Sequence, residues 1–370
     1  MPLFTKLFRK HRVEKLDAPV KSKPQKPLDP VVKPHSEQAL AISAHQEAKK
    51  EAWQEQVRKP KGPPPKFSLA QKQALGMDKR YQFWVRTTHQ AALYNLQDGG
   101  WTRAIIASAD YIEGMIELEK LKKPDWNVHF TNRTTNFAKT VAKLVADQTP
   151  RAQIIAHNQE GSDPTSHTVC YDYQLVDGKA SLIGLESGNF KAEFDTLKLQ
   201  ALHKHALEKE GVPVSFITAP LKIQKSETGC PIFALMIGKT LYRKPHLLDD
   251  LHKDNVAGKL LVPKDQYPKG SEEAFIAQFN VFSADAQLPV ELLKYSQSST
   301  RTKEYLKLHP GAGQQAINQK GQTVEGYFTA HTQPVYDTYD SSGKMLRAMS
   351  SRVAKKQITY LEELTKALEE

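Results

Sequence analysis

The 370-residue sequence predicts an α+β fold. Helical patterns come first, strand patterns cluster in the middle and helical patterns return, without the alternation that a doubly wound sheet requires. Asp177-Gly178 between two apolar runs marks a two-residue β-hairpin near the centre of the chain. A hydrophobic share of 39% suffices for a packed core over most of the length.

The first 66 residues read as a tail outside that core. They hold 15 Lys/Arg against 7 Asp/Glu, which is +8 of the chain's +11, and 10 of its 22 prolines. Proline removes backbone donors and like charges repel, so a disordered basic tail is expected, with one short helical patch at 36–58. It suits an export signal or an anionic-surface anchor. Met1-Pro2-Leu3-Phe4-Thr5-Lys6 lacks the apolar run of a cleaved secretory signal, and Pro2 excludes N-myristoylation. No run of about 18 apolar residues occurs, so no membrane-spanning segment is expected. The remaining residues carry 37 basic against 34 acidic side chains, which argues against nucleic acid as a partner.

Order is expected from Ser68. Ser68-Leu69-Ala70-Gln71 is a capping box, predicting a helix to about residue 97 that Gly99-Gly100 ends. A second helix is predicted over 102–121, stopped by Lys122-Lys123-Pro124, then a strand over 127–131 and an amphipathic helix over 135–146. Strands are predicted at 151–157 and in the hairpin arms 167–175 and 180–186. A helix over 190–207 and a strand over 214–218 follow. Residues 231–242 form an apolar helix with Pro231 in its first turn, where a missing N–H costs little. Further helices are placed at 246–257, 299–308 and 351–368, the last after a loop-rich span 311–343.

The hairpin register carries the chemistry. With a two-residue turn Val176 opposes Lys179, so Glu186 opposes Val169, and His167 is its diagonal neighbour on the same face. The carboxylate can hold one ring nitrogen and leave the other to take a thiol proton. Cys230 stands where a loop enters the helix at 231–242, and a helix N-terminus stabilises an anion. Gln224 can donate its amide to a tetrahedral oxyanion beside backbone N–H groups near Cys230. A cysteine ahead of an apolar helix is ordinarily core packing; the joint presence of His167 and Glu186 points to nucleophilic catalysis instead. Cys170, three residues from His167, points to the opposite face and is read as a buried, inert thiol. His157, His203 and His205 have no evident partner and are assigned to surface or packing. Two cysteines without CxxC or paired Cys/His spacing predict neither a disulfide framework nor a metal site.

Several motifs resemble those of the YopJ family of type III secreted effectors, which shares a clan with Ulp1-type cysteine proteases. They are His167-Thr-Val-Cys-Tyr-Asp172, Asp177-Gly-Lys-Ala-Ser-Leu182 leading to Glu186, and Gln224-Lys-Ser-Glu-Thr-Gly-Cys-Pro-Ile-Phe233. Leu251-His-Lys-Asp-Asn-Val-Ala-Gly258, Lys294-Tyr-Ser-Gln-Ser298 and the closing Lys355-Lys356 with Tyr360 complete the set. The chain departs from the family in Gly229 and Pro231 around the cysteine, and in Tyr295 where histidine is common.

The resemblance implies a Ulp1/papain-like catalytic core at 126–300. Helical regulatory parts flank it at 67–125 and 301–370. It further implies an acetyltransferase (EC 2.3.1 class) that moves acetyl from acetyl-CoA through Cys230 to Ser, Thr or Lys of host signalling or immunity proteins, inside the host cell. His167 would be the base, Glu186 its orienter, Gln224 an oxyanion donor and Lys294 an autoacetylation site. Inositol hexakisphosphate would activate the enzyme through Arg347, Arg352, Lys355, Lys356 and Lys320. The residues alone leave two alternatives open: a deubiquitinase or SUMO-type protease with the same triad, and a non-catalytic effector that binds a host kinase.

Overall fold

Ser68 opens the first helix as its sequence predicts. The structure, a computed structural model, describes residues 65–97, 109–158, 167–188, 194–225, 229–260, 288–318, 320–336 and 345–369. The expected tail, its helical patch at 36–58, and the predicted helix starts at 102–108 and 190–193 lie outside these residues. Ser68 Oγ accepts from the Gln71 amide at 3.2 Å, and Gln71 Oε1 accepts from the Ser68 amide at 2.8 Å.

The single helix predicted to residue 97 is instead two, α1 (Leu69–Ala74) and α2 (Lys79–Gln97). Gly76 adopts φ 63°, which stops α1, and Asp78 restarts the chain by accepting from the Tyr81 amide at 2.8 Å. Helix α3 (Ile112–Lys122) ends at the predicted lysine–proline stop.

Strand β1 (Val128–Thr131) leads through α4 (Thr134–Ala146) to β2 (Arg151–Asn158). The hairpin strands are β3 (His167–Val176) and β4 (Lys179–Glu186). Asp177 and Gly178 both take positive φ, 49° and 75°, as a type I′ turn requires. Val176 pairs with Lys179 and Cys170 with Leu185, the predicted register. Helix α5 (Phe194–Lys209) then crosses to β5 (Val214–Pro220), which lies parallel to β4. The sheet order is β1-β2-β3-β4-β5.

Alternation splits the core between the two sheet faces. Val169, Tyr171, Leu182 and Phe216 pack with Phe137 and Val141 of α4 and Leu199 of α5. Ile155, Cys170, Ile183 and Ile217 pack on the other face with the apolar run of α6 (Cys230–Arg243). The predicted helix at 246–257 opens as a 3-10 turn at Pro245–Leu248 before α7 (Asp249–Val256). Two side chains of the 251–258 motif lock α7 to the sheet. His252 Nδ1 meets Ser181 Oγ at 2.8 Å and its Nε2 meets Asp172 Oδ2 at 3.1 Å. Asn255 Nδ2 donates to Ser181 Oγ and to the Ser215 carbonyl, each at 2.8 Å.

A 3-10 turn (Val290–Tyr295) and α8 (Ser299–Leu308) follow. The span predicted as loop at 311–343 is in fact structured as far as residue 336. It contains α9 (Val324–His331), capped by Thr323, and β6 (Thr332–Tyr336), which pairs antiparallel with β7 (Met345–Ser350). Its short elements, with Gly326 inside the helix, give too few turns for an apolar period to register.

Helix α10 (Arg352–Leu368) closes the described chain, burying Val353, Ile358, Leu361 and Leu364. Each such side chain is worth roughly 1.5–3 kcal/mol of burial. Glu119 of α3, 1% exposed, receives Lys239 of α6 at 2.6 Å and also pairs with Lys123 and Lys122. Burial opposes its charge, but these ammonium groups outweigh it and hold the carboxyl at about 2. The helix that starts at Cys230 is therefore tied near its other end to the helices around the core.

Candidate active site

His167 is the first residue of β3 and Glu186 the last of β4, so the hairpin delivers both to one end of the sheet. Continuing the register past Cys170–Leu185 sets Glu186 diagonal to His167, and Nε2 lies 2.7 Å from Glu186 Oε2. The second carboxylate oxygen accepts from the Gly188 amide at 2.7 Å, so the carboxylate cannot swing away. Glu186 is fully buried and His167 is 9% exposed.

Cys230, which opens α6, lies close enough to the imidazole for its sulfur to bear on the ring. Burial works against a charged ring, but Glu186 and the Cys230 sulfur outweigh it and hold the His167 pKa well above that of a free histidine. The site thus favours a proton on the imidazole beside the sulfur.

Two histidines without an evident partner in the sequence, assigned there to surface or packing, are buried and bonded. His157 Nδ1 meets Thr168 Oγ1 at 2.8 Å, and His203 Nδ1 meets the Tyr171 hydroxyl at 2.6 Å while its ring stacks on Phe137. Burial, with the charge of His167 adding to it, lowers His157 to about 4 and His203 to about 3. Positive charge therefore concentrates on His167. His205 is exposed, as expected.

Cys230 opens the 14-residue α6, and Gly229 before it takes φ 110°, a conformation that a side chain would strain. Glycine in place of the family's usual acidic residue fits that backbone. Pro231 occupies the first turn. Cys170 is fully buried on the other face, and burial followed by the Asp172 charge raises its thiol pKa well above the usual value. Tyr295, where histidine is common in the family, is buried with its hydroxyl 3.3 Å from Thr240 Oγ1.

Gln224 lies in the strap between β5 and α6. Its Oε1 accepts from Ser187 Oγ at 2.7 Å and its backbone amide donates to the Ser187 carbonyl at 2.9 Å. Ser187 follows Glu186 directly, so one segment orients both the histidine and the glutamine.

The remaining predicted residues lie elsewhere. Lys294 stacks its ammonium 5.2 Å from the Tyr295 ring centroid and 6.0 Å from that of Tyr327, and the Arg352 guanidinium lies 5.7 Å from the same Tyr327 ring. Arg352, Lys355 and Lys320 all press positive charge on His331, whose pKa is lowered by burial first and then by these groups. Lys356 is pulled down to about 8 by burial and then by Arg352, with Arg243 adding to it. Arg347 lies on β7 opposite Val335, and its side chain is outside the described residues. Arg243, the last residue of α6, also bears on Lys356 and was not singled out in the sequence.

The fold is thus that of an α+β protein with a mixed sheet packed on both faces, and at one end of that sheet an imidazole bonded to a buried carboxylate lies near a thiol that opens a helix. A model of the YopJ serine/threonine acetyltransferases matches residues 89–363. The chain belongs to that family, whose members are acetyltransferases secreted through type III systems and active in host cells. It is 26% identical over 237 residues to the serine/threonine-protein acetyltransferase YopJ of Yersinia pestis, covering 63% of this chain and 77% of the relative. The Yersinia pseudotuberculosis protein is 25% identical over the same extent.

Two solved structures share the fold. A deletion variant of AvrA with IP6 and CoA aligns with TM-score 0.60 at 23% identity, over 76% of this chain and 98% of the other. HopZ1a with IP6 and CoA aligns with TM-score 0.59 at 18% identity, over 76% and 92%. Among the described residues no helix is long and apolar enough to cross a membrane.

Proposed function

We propose that this chain transfers acetyl from acetyl-CoA to Ser, Thr or Lys side chains of host proteins by way of Cys230. The observation that carries this reading is the His167–Glu186 bond, with the His167 pKa raised beside Cys230. The Cys230 thiolate attacks the acetyl carbonyl, and CoA leaves with the proton from His167. The acetyl thioester on Cys230 is then attacked by a hydroxyl or amine whose proton passes to His167, and Cys230 departs as thiolate. Gln224 and backbone N–H groups at the start of α6 stabilise the oxyanion in both steps.

The family relation favours this chemistry over a deubiquitinase or SUMO-type protease. The AvrA and HopZ1a complexes with CoA support acetyl-CoA as the donor.

The same complexes hold IP6, and inositol hexakisphosphate is the activator we assign here. The cluster of Arg352, Lys355 and Lys320 around His331, with Lys356 on the next turn, is the kind of convergent positive charge a compact polyanion relieves. Arg347 is kept in the set from its place on β7. Lys294 is the proposed autoacetylation site. The division into a tail at 1–66, a catalytic core at 126–300 and regulatory parts at 67–125 and 301–370 belongs to the same reading.

The test is a reaction of the full chain with labelled acetyl-CoA, with and without inositol hexakisphosphate, followed by mass-spectrometric site mapping. Label on Cys230 and Lys294 that needs the polyphosphate is expected. In R352Q the polyphosphate concentration for half-activation should rise about tenfold, the loss of one charge-assisted contact. Equal labelling without polyphosphate would remove the activator reading, and no label on Cys230 would remove the acyl-enzyme.

A further inference from the structure

The strap at 221–225 carries Gln224 between β5 and α6, and two parts of the protein grip it from opposite sides. From the end of β4, the Glu186 carbonyl accepts from the Leu221 amide at 2.7 Å, and the Ser187 carbonyl accepts from the Ile223 and Gln224 amides at 2.9 Å each. From the segment before α8, Gln297 holds the residues on either side of Gln224. Its backbone amide donates to the Ile223 carbonyl at 2.7 Å, and its Oε1 accepts from the Lys225 amide at 2.8 Å. Arg301 Nε adds a bond to the Leu221 carbonyl at 2.9 Å.

The strap needs this grip because Lys222 sits at φ 55°, a left-handed conformation that is unfavourable for a residue with a side chain. Gln297 is itself held rigidly. It is 1% exposed, and beside it the Ser296 hydroxyl donates to the Ser298 carbonyl and accepts from the Ser298 amide, each at 3.1 Å.

We propose that Gln297 is a positioning residue for the oxyanion donor: by clamping the backbone on both sides of Gln224 it holds that amide where Cys230 reacts. The inference rests on the reading of Gln224 and Cys230 above, and it gives a role to the 294–298 motif that the triad leaves unexplained. Ser187 fixes the Gln224 side chain, and Gln297 fixes the backbone that carries it.

The experiment measures CoA release from acetyl-CoA by the full-length protein with inositol hexakisphosphate present, alongside iodoacetamide alkylation of Cys230 and thermal melting. Gln297→Met keeps the side-chain length and deletes the acceptor for Lys225. It should lower kcat about tenfold or more, part of the roughly hundredfold worth of an oxyanion donor, with KM for acetyl-CoA within about twofold. Its alkylation rate should match wild type, because the His167–Glu186 pair is untouched. Gln297→Glu keeps the acceptor oxygen and should recover most of kcat. In a Gln224→Ala background the Met substitution should cost nothing further, as coupled residues do.

Wild-type kcat in Gln297→Met, or a loss that simply multiplies with that of Gln224→Ala, overturns the proposal. So does an alkylation rate that falls in step with kcat, which would mark a general packing role. If Gln224→Ala is itself fully active, the oxyanion reading fails and this inference fails with it. If Gln224→Ala is impaired and Gln297→Met is not, only the positioning role is lost.

Discussion

At one end of the sheet, Glu186, His167 and Cys230 bring together a carboxylate, an imidazole and a thiol. On the opposite face, Asp172, His252 and Ser181 form a carboxylate–imidazole–hydroxyl series of similar spacing, 3.1 Å and 2.8 Å along the chain of bonds. The inventory of groups is nearly the same, yet their surroundings differ. Asp172, His252 and Ser181 are fully buried, whereas His167 and Cys230 keep 9% and 6% of their surface.

Asp172 is also claimed by Arg151 at 2.5 Å and by Gln153 at 2.8 Å, and Ser181 by Asn255. Every polar group in the inner series is engaged in holding α7 to the sheet. In the outer series the sulfur lies at a helix N-terminus, where charge that develops in the proposed reaction can be stabilised. A triad is thus recognised by access and by what stabilises the developing charge, since composition alone would count both.

The comparison can be broken most directly at the two nucleophile positions. Cys230→Ala should lower acetyl transfer by about 10⁴-fold or more while melting like wild type, since only the reacting atom is removed. Retention of transfer would end the nucleophile assignment and favour the non-catalytic effector. The two carboxylates should then respond oppositely. Glu186→Gln is expected to cut kcat by about 10²-fold or more with modest loss of stability. Asp172→Asn, which strands Arg151 and His252, should cost about 3 kcal/mol in denaturant titration yet leave the specific activity of folded protein within about twofold. If activity follows Asp172 instead, the inner series has a role the geometry does not indicate.

A titration sharpens the contrast. The folded pKa of His167 is raised, so its pair with Glu186 stabilises the fold fully below about pH 6.5, the unfolded value, and that contribution is lost as pH rises through the elevated folded value. In Glu186→Gln the imidazole should release its proton at lower pH than in wild type, read by NMR of the ring protons. Ser181→Ala should leave that curve in place. Its own effect is the smallest, about 1–3 kcal/mol from leaving His252 and Asn255 short of a partner, with acetylation unchanged. A displaced His167 curve in Ser181→Ala would show that the two series communicate.

Much of the site is legible in the sequence. Asp177-Gly178 specifies a two-residue turn, and the period of two then carries the register out to His167 and Glu186. The same parity assigns Cys170 to the other face. What stays hidden are partners without a local pattern. Gln297 grips a strap 72 residues earlier, and His252 meets Ser181 across 71. The buried partners of His157 and His203 depend on how α4, α5 and the sheet pack. The break at Gly76 escapes a reading of periodicity because helix-forming residues lie on both sides of one left-handed residue.

By itself the sequence determined the hairpin register, the apolar helix behind Cys230 and the motifs that mark the family, because turns and periodicities act over a few residues. Only the tertiary structure decided which of two acid–histidine series keeps access to its surroundings and how the Gln224 strap is held. It also decided that Arg352, Lys355 and Lys320 all bear on the charge of His331. Those outcomes depend on desolvation and on hydrogen bonds between distant segments, which exist only once the chain has packed.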